Sequence, residues 1–240
     1  MSLLAVEGVV AGYTPGVHIL DGVSLRASTG GMTAVIGTNG AGKSTLLKTV
    51  FGLLAPAAGR IVYDGRDVAG LLPAALKRLG MSYFPQGSNI FAHMTVEENL
   101  RLSCWTFRRD AVRVRRAVAR AQELFPVLGA KRANPASLLS GGEAKMLSLA
   151  REIISAPRLM LVDEPSAGLA PRVTDHVYEF LDQCRTEGAT ILLVDQNIEA
   201  AVRMADYVYM LDMGRVKLEG PRERFTGDLE RIVRDVLFGD

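Results

Sequence analysis

Cysteine is scarce in this sequence, and long hydrophobic runs are missing. Two cysteines occur in 240 residues, Cys104 and Cys184, and they lie far apart without CxxC or Cys/His spacing. A disulfide framework and a zinc site are therefore disfavoured, and we expect buried, neutral thiols. No stretch approaches the roughly 20 apolar residues that a membrane-spanning helix needs. Any role at a membrane is therefore expected to depend on a partner.

An excess of charge of one sign is also missing. The 28 Lys and Arg residues nearly balance the 26 Asp and Glu residues, which leaves a formal net charge of +2. That value is too small to indicate a surface built for nucleic acid or anionic lipid. Residues 1–13 carry Glu7 where a signal peptide needs a basic end and an uninterrupted apolar stretch. We expect a mature cytoplasmic protein.

The remaining composition, with 48% hydrophobic and 22% charged residues, is that of an ordinary globular protein. Gly and Pro divide the chain into short apolar runs separated by helical patterns, which predicts an α/β sheet. Strands are predicted at residues 32–37, 80–84, 159–162 and 190–194. The last two are nearly continuously apolar, which indicates burial on both faces. A looser alternation over residues 3–25 predicts a small antiparallel β-layer.

Between about residues 88 and 157 the pattern becomes helical. One predicted helical face is apolar and consists of Val114, Val118, Ala121 and Phe125. Much of the remainder is basic and carries Arg109, Arg113, Arg116 and Arg120, which form either a solvated face or a docking surface.

A further helix is predicted at residues 142–154, after a break at residues 134–139. From residue 207 the pattern predicts two short strands around Met213-Gly214. An amphipathic helix containing Leu229, Ile232, Val233 and Leu237 is predicted after these strands.

The strongest motif follows the strand at residues 32–37. It reads Gly37-Thr38-Asn39-Gly40-Ala41-Gly42-Lys43-Ser44-Thr45 and fits the phosphate-loop pattern GxxxxGK[ST] before a helix predicted at residues 43–54. The glycines let successive backbone N–H groups face one concavity, and the helix adds the positive end of its dipole. Lys43 is predicted to reach the outer phosphates of a nucleotide, and the Ser44 hydroxyl to bind Mg²⁺. A turn that binds nothing would not need these two side chains.

A second motif is an apolar strand, residues 159–162, that ends in Asp163 and Glu164. Alone, such a run is equally consistent with a strand that ends in a polar turn. After a phosphate loop, it predicts that Asp163 supports Mg²⁺, mostly through bound water. Glu164 is then predicted to orient and activate the attacking water.

The segment Leu139-Ser140-Gly141-Gly142-Glu143 precedes a predicted helix, and with the two motifs above it resembles the signature of the ABC ATPase family. Ser-Gly-Gly alone is more often a simple helix cap. The resemblance implies that Ser140 and the amides of Gly141 and Gly142 cap the γ-phosphate of ATP held by an opposite subunit. The expected ligands are therefore ATP and Mg²⁺.

Other positions match this family in order along nearly the whole chain. The resemblance implies that Tyr13 stacks on adenine, with a core tyrosine as the alternative. It implies that Gln86 contacts Mg²⁺ beside a membrane subunit, with a solvated loop amide as the alternative. Residues 166–169 (Ser-Ala-Gly-Leu) resemble the D-loop, which passes between two nucleotide sites.

Three positions depart from the family pattern. Glu143 replaces the usual signature glutamine, and Ala170 replaces the D-loop aspartate. Gln196 stands where most of the family has the switch histidine. A glutamine amide donates a hydrogen bond but has no ring that becomes cationic. Gln196 is therefore expected either to contact the γ-phosphate with weaker charge stabilisation than histidine, or to be a structural amide.

Five strings narrow the resemblance to one of the two ATPases of branched-chain amino acid importers, with urea and amide importers remaining open. They are residues 94–100 (MTVEENL), 123–126 (ELFP), 140–143 (SGGE), 168–171 (GLAP) and Gln196-Asn197. A soluble ABC ATPase of an assembly scaffold, as in iron–sulfur cluster assembly, is the main rival. DNA-repair and translation ABC proteins are disfavoured by the single phosphate loop and the low net charge.

The resemblance implies a P-loop NTPase of the ABC ATPase fold, with a RecA-like α/β core, an N-terminal antiparallel β-layer and a helical subdomain. One domain is expected over residues 1–240. Its core and β-layer are assigned to residues 1–87 and 158–240, and the helical subdomain with the signature to residues 88–157.

The expected partners are a second ABC ATPase subunit, the same or a sister chain, in a head-to-tail dimer, and transmembrane permease subunits. A solute-binding protein is an indirect partner, and nucleic acid is not expected to bind. The implied location is the cytoplasmic face of the membrane. The implied activity is ATP hydrolysis, with Glu164, Lys43 and Gln196 as the catalytic residues.

Overall fold

A computed structural model describes residues 1–87 and 89–226, and within these ranges the chain forms ten strands, eight α-helices and three short 3₁₀-helices. The strands are β1 (Ser2–Ala11), β2 (Leu20–Ser28), β3 (Met32–Ile36), β4 (Ala58–Tyr63), β5 (Arg66–Asp67), β6 (Met81–Phe84), β7 (Leu159–Asp163), β8 (Thr190–Val194), β9 (Tyr207–Asp212) and β10 (Arg215–Pro221). The helices are α1 (Lys43–Val50), α2 (Pro73–Arg78), α3 (Val96–Ser103), α4 (Ala111–Leu124), α5 (Pro126–Ala130), α6 (Gly141–Ile153), α7 (Pro171–Thr186) and α8 (Ile198–Met204).

The described strands form two sheets. The larger has the order β10-β9-β3-β8-β7-β6, and all of its pairs are parallel except β10 with β9. The smaller has the order β2-β1-β4-β5 and is antiparallel. Both the predicted α/β sheet and the predicted N-terminal antiparallel layer are therefore confirmed.

The parallel sheet separates two apolar cores, because alternate side chains of each strand point to opposite faces. In β8, Ile191 and Leu193 face the core formed with α3 to α8, whereas Leu192 and Val194 face the core formed with β1, β2 and α1. The prediction that these strands are covered on both faces is confirmed. The two free thiols, Cys104 and Cys184, are buried as expected, and burial raises their pKa values to about 11 and about 12.

Four helices, α3 to α6, follow one another between β6 and β7, as the helical pattern predicted. Val118, Ala121 and Phe125 are buried on the predicted apolar face. The basic residues Arg109, Arg113, Arg116 and Arg120 are exposed. None of the described residues belongs to a helix long and apolar enough to span a bilayer. The predicted C-terminal helix with Leu229, Ile232, Val233 and Leu237 lies outside the described residues.

Two local predictions need correction. The helix predicted at residues 43–54 ends at Val50, because Gly52 has φ +72° and a Cβ there would lie 2.0 Å from the carbonyl oxygen of Leu71. Strands β4 and β5 were not predicted. They form a hairpin around Asp64-Gly65, where both residues have positive φ values, as a tight hairpin turn requires.

The central strand provides a test of the sheet's contribution to stability. We expect Leu193→Ala to lower the free energy of unfolding by about 2–5 kcal/mol, because it removes a fully buried side chain between two packed layers. Urea unfolding followed by circular dichroism measures the change. The exposed Leu72→Ala is the matched control and should stay within about 0.5 kcal/mol of the parent. Equal losses in the two variants would contradict the two-core arrangement.

Candidate functional site

The loop from Gly37 to Thr45 connects β3 to α1, and its glycines are sterically required. Gly37, Gly40 and Gly42 all have positive φ values. A Cβ on Gly37 would lie 2.0 Å from the carbonyl oxygen of Leu211, and one on Gly42 would lie 2.9 Å from Leu20 Cδ2. A side chain on Gly37 would collide with the backbone of β9, and one on Gly42 would press on the Leu20 side chain of β2. Both would also be strained by the positive φ values. Asn39 and Gly40 are exposed at the loop tip, whereas Ala41 and Thr45 are buried.

Lys43, the first residue of α1, folds back over this loop. Its Nζ donates hydrogen bonds to the carbonyl oxygens of Gly37 at 3.0 Å and Thr38 at 2.9 Å. Burial lowers the pKa of the ammonium group, and the nearby Glu164 and Asp163 carboxylates oppose that shift. The cation is thus held at the concave side of the loop by weak carbonyl acceptors, which an anion with more charge could replace.

Asp163 ends β7 next to the start of α1. Its side chain is 1% exposed, and it accepts hydrogen bonds from Ser44 Oγ at 2.8 Å and Tyr83 OH at 3.0 Å. Burial raises the pKa of Asp163, and these two hydrogen bonds oppose the shift. The parallel register places Tyr83 of β6 level with Leu161 of β7, which brings the phenol to the end of the sheet.

Glu164 follows Asp163 in a left-handed backbone conformation with φ +48°. Its Oε2 accepts hydrogen bonds from two carboxamides, Gln86 Nε2 and Gln196 Nε2, the latter at 2.6 Å. The side chain is buried, and this burial, followed by the charge of Asp163, raises its pKa. Positive φ values at non-glycine residues are costly and tend to occur at functional sites. The arrangement turns the carboxylate away from the strand and towards the two glutamines.

Helix α6 begins at the signature segment. Ser140 Oγ accepts from the Glu143 N–H at 3.4 Å, and Glu143 Oε2 accepts from the Ser140 N–H at 2.9 Å, which forms a capping box. Lys131 Nζ lies 2.7 Å from Glu143 Oε1. A Cβ on Gly141 would meet no atom within 4 Å, whereas one on Gly142 would lie 3.2 Å from Val173 Cγ2. The helix start is therefore open at Gly141 and closed by α7 at Gly142. Glu143, one of the departures from the family pattern, therefore forms an ion pair that the usual glutamine does not.

Tyr13 lies in the connection between β1 and β2. The residue is 54% exposed, and its OH accepts a hydrogen bond from Lys48 Nζ of α1 at 3.2 Å. The alternative interpretation of Tyr13 as a core residue is therefore wrong. The exposed ring beside α1 stays available for the predicted contact with adenine.

The structure brings the predicted residues of the glycine loop, the strand ends and the two glutamines together, and it leaves the signature segment apart from them. Six predicted side chains form hydrogen-bonded groups at the carboxyl end of the parallel sheet: Lys43, Ser44, Gln86, Asp163, Glu164 and Gln196. Among residues 1–87 and 89–226, no hydrogen bond joins Ser140, Gly141 or Gly142 to the loop from Gly37 to Thr45. The signature segment instead lines a cavity of about 280 Å³ with Gly87 and Gly168.

Sequence reasoning missed two groups in this region. Tyr83 was counted only as part of a strand, although its phenol holds Asp163. Asp195 was not singled out, yet it is fully buried and accepts from Ser166 Oγ at 2.7 Å, Tyr178 OH at 2.9 Å and the Asn197 N–H at 3.0 Å. An acid at the end of a predicted strand, next to Gln196, was the available signal for Asp195.

The sequence was compared with known protein families. The profile described as "ABC transporter" matches residues 20–167, which is more than half of the chain. The chain belongs to the ABC transporter family.

Named relatives of this ABC ATPase have several transport functions. It is 39% identical to the high-affinity branched-chain amino acid transport ATP-binding protein BraG of Pseudomonas aeruginosa, over 86% of this chain and 88% of BraG. It is 38% identical to the probable branched-chain amino acid transport ATP-binding protein LivF of Archaeoglobus fulgidus, over 88% of each. It is also 34% identical to the methionine import ATP-binding protein MetN of Caulobacter vibrioides, over 92% of this chain and 68% of MetN.

Solved structures agree with the fold. A nucleotide-free ATP-binding cassette from an ABC transporter superposes with a TM-score of 0.85 at 26% identity, covering 98% of this chain and 96% of that one. The ADP conformation of another ABC transporter cassette gives a TM-score of 0.82 at 26% identity, with the same coverage. The predicted fold class, a P-loop NTPase of the ABC ATPase type, is confirmed.

As a member of this family the protein is an ATPase whose ligands are ATP and Mg²⁺. The residues of the site fit this ion. Ser44 and Asp163 present oxygen atoms 2.8 Å apart, and Gln86 adds a carboxamide that approaches the adjacent Glu164. Mg²⁺ prefers such hard oxygen ligands and keeps several waters. Asp163 is deeply buried and forms no ion pair within the described part of the chain, so a bound cation would compensate its charge.

The ion pair at the signature segment gives a pH-dependent prediction. Lys131 holds the pKa of Glu143 below its ordinary value of 4.5. The pair therefore stabilises the fold above about pH 4.5, and this contribution is lost as the pH falls through the lower pKa of the folded protein. We expect Glu143→Gln, which keeps the shape of the cap, to lower the free energy of unfolding at pH 7 by up to about 1 kcal/mol, since the pair is partly exposed.

The difference between this variant and the parent should become smaller as the pH falls below the ordinary pKa of 4.5. Urea unfolding at pH 7 and at a pH below about 4.5 measures this difference in the free energy of unfolding. Lys131→Met is the matched control and should show the same pH dependence. A difference that persists unchanged at low pH would contradict a role for the ion pair.

Proposed function

We propose that this ABC ATPase powers the import of branched-chain amino acids. The observation that carries the proposal is its 38–39% identity to BraG and LivF over 86–88% of the chain, compared with 34% for the methionine import protein MetN. The five sequence strings that resemble this subfamily, including Gln196-Asn197, support the same solute class. Import would take place at the cytoplasmic face of a membrane, through permease subunits that bind this protein. A solute-binding protein would deliver the amino acid.

The site residues receive roles from their geometry. Lys43, which rests on weak carbonyl acceptors, binds the outer phosphates of ATP. Ser44, Asp163 and Gln86 hold Mg²⁺, which, when bound, neutralises the charge that develops on the phosphates. Tyr13 packs on adenine from its exposed position beside α1. The backbone N–H groups of the loop from Gly37 to Thr45 surround the phosphates.

Glu164 orients the attacking water and accepts its proton. The raised pKa of Glu164, caused by burial and by Asp163, brings this carboxylate closer to the range in which a general base works well. Gln196 and Gln86 keep the carboxylate in place by donating to the same oxygen. Gln196 also donates to the γ-phosphate of ATP, without the positive charge that histidine would add.

The complete site is formed between two subunits. The start of α6 is open at Gly141 and has no hydrogen bond to the glycine loop of its own chain in the described residues, which supports a role towards another subunit. In a head-to-tail dimer, Ser140, Gly141 and Gly142 of each subunit cap the ATP that is held by the other. The second subunit is the same chain or a sister ATPase. Within the described residues, 1–87 and 158–226 belong to the core, and 89–157 belong to the helical subdomain that brings the signature to the partner.

The permease contact lies beside Gln86. Phe91 is 47% exposed although it is a large apolar residue, and the neighbouring Ile90 packs partly against the core. An exposed aromatic ring a few residues after Gln86, whose carboxamide touches the catalytic carboxylate, suits a contact that relays movement between subunits.

The role of Glu164 is tested by Glu164→Gln. We expect ATP binding to be retained, because the phosphate contacts are unchanged, and kcat to fall by about two to four orders of magnitude, because the general base is lost. Steady-state ATPase assays and equilibrium binding of ATP measure the two effects. Normal turnover in this variant would remove Glu164 from its proposed role.

The solute is tested by transport. The chain should co-purify with co-expressed permease subunits and, in proteoliposomes supplied with ATP and a solute-binding protein, drive the uptake of radiolabelled leucine. Unlabelled isoleucine and valine should compete, whereas methionine and urea should not. The Glu164→Gln complex is the matched control and should assemble without uptake. Uptake of urea or methionine instead of leucine would refute the proposed solute.

A further inference from the structure

Helix α6, which begins at the signature segment, carries a buried polar stripe. Lys145, Ser148 and Glu152 have three- and four-residue spacing and therefore share one face of the helix. All three are buried, with Glu152 only 4% exposed. Burying a lysine and a glutamate is unfavourable unless each has a specific partner. We therefore expect each of these three side chains to have a specific polar partner in the fold.

The partners lie just after Gln86. Ser148 Oγ donates to Asn89 Oδ1, and Asn89 Nδ2 donates to Glu152 Oε1 at 3.1 Å. Lys145 Nζ lies 3.4 Å from the carbonyl oxygen of Gly87. The Asn89 carboxamide thus has both of its ends bonded to α6. The stripe fixes the chain on the C-terminal side of Gln86 at two positions.

The same stripe is anchored outside the helix at both ends. Lys77 Nζ of α2 lies 3.0 Å from Glu152 Oε2, in an ion pair whose side chains are 22% and 6% exposed. At the other end, the Lys145 ammonium lies 4.4 Å from the centre of the Phe84 ring of β6, within the range of a cation–π interaction. Glu152 therefore joins α6, α2 and the segment after Gln86 through one carboxylate.

We propose that Glu152, with Ser148, Lys145 and Lys77, positions the Gln86 carboxamide on the catalytic Glu164. In the described residues none of the four is hydrogen-bonded to the nucleotide loop, and Glu152, Ser148 and Lys77 act through Gln86 as positioning residues. Lys145 also lies near the site carboxylates, since burial lowers its pKa and the charges of Asp163 and Glu164 oppose that shift. Because α6 also begins with Ser140, the cluster ties the signature segment and the Gln86 segment to one rigid helix. This inference rests on the roles proposed above for Gln86 and Glu164.

The first test separates binding from turnover. Glu152→Gln keeps the size of the side chain and an oxygen that can accept from Asn89, but it removes the charge that pairs with the Lys77 ammonium. The variant therefore weakens the cluster that holds the segment after Gln86. We expect kcat of the purified full chain to fall about three- to tenfold, a part of the roughly hundredfold loss that misplacing a catalytic group by about 1 Å can cause. The dissociation constant for ATP should change less than about twofold, because the contacts of Lys43 and the glycine loop are untouched. Lys77→Met should give the same pattern.

The second test asks whether the effect passes through Gln86. Residues that act as a unit give non-additive losses, so Glu152→Gln should reduce kcat further by less than about twofold in a Gln86→Ala background. Arg185→Gln is the matched control: it removes the ion pairs with Asp182 and Asp206, far from Gln86 in the chain, and should leave kcat unchanged. Thermal unfolding of every variant identifies losses that come only from instability. If Glu152→Gln fails to fold, Ser148→Ala takes its place.

The outcomes distinguish a failure of the positioning cluster from a failure of the proposed role of Gln86. An unchanged kcat in Glu152→Gln and Lys77→Met, or equal fold-losses in the parent and Gln86→Ala backgrounds, would overturn the positioning cluster alone. An unchanged kcat in Gln86→Ala itself would contradict both the cluster and the proposed role of Gln86. Failure of leucine transport would leave these ATPase measurements unaffected.

Discussion

Two carboxylates buried at the end of β7 organise the whole site. Asp163 and Glu164 are 1% and 5% exposed, and neither forms an ion pair within the described residues. Buried charges are tolerated only where hydrogen-bond donors or cations surround them. Here the donors come from four separate parts of the chain: Ser44 in α1, Tyr83 in β6, Gln86 after β6, and Gln196 after β8. The hydrogen bonds that these two buried acids require therefore hold the ends of neighbouring strands and the start of α1 close together.

The parallel sheet explains why these donors can meet. Strands β6, β7 and β8 are adjacent and run in the same direction, so their carboxyl ends open at one edge. The residues that follow them, Gln86, Glu164 and Gln196, then reach each other although they are far apart in sequence. Asp195, fully buried beside them, holds the loop that carries Gln196.

Much of this arrangement could be predicted from the sequence, and the reasons for the exceptions are physical. The glycine loop, the buried strands and the acids after β7 have local patterns that depend on neighbouring residues. The hairpin of β4 and β5 had an Asp-Gly turn as a signal, but its short, half-exposed strands lack a clear alternation. The role of Tyr83 depends on the register between β6 and β7. The Lys131–Glu143 and Lys77–Glu152 ion pairs depend on how the helices pack. Strand register and helix packing cannot be predicted from the local sequence.

The hydrogen bonds of Asp195 restrict how the molecule can move. This carboxylate is shared by Ser166, which begins the segment resembling the D-loop, by Tyr178 of α7 and by the backbone of Asn197. Because Asp195 is fully buried, shifting any one of these three would remove a donor from a carboxylate that solvent does not reach. The turn after β7 and the turn after β8 are therefore both tied to the Asp195 carboxylate. We expect them to move together as one rigid unit rather than as two independent loops.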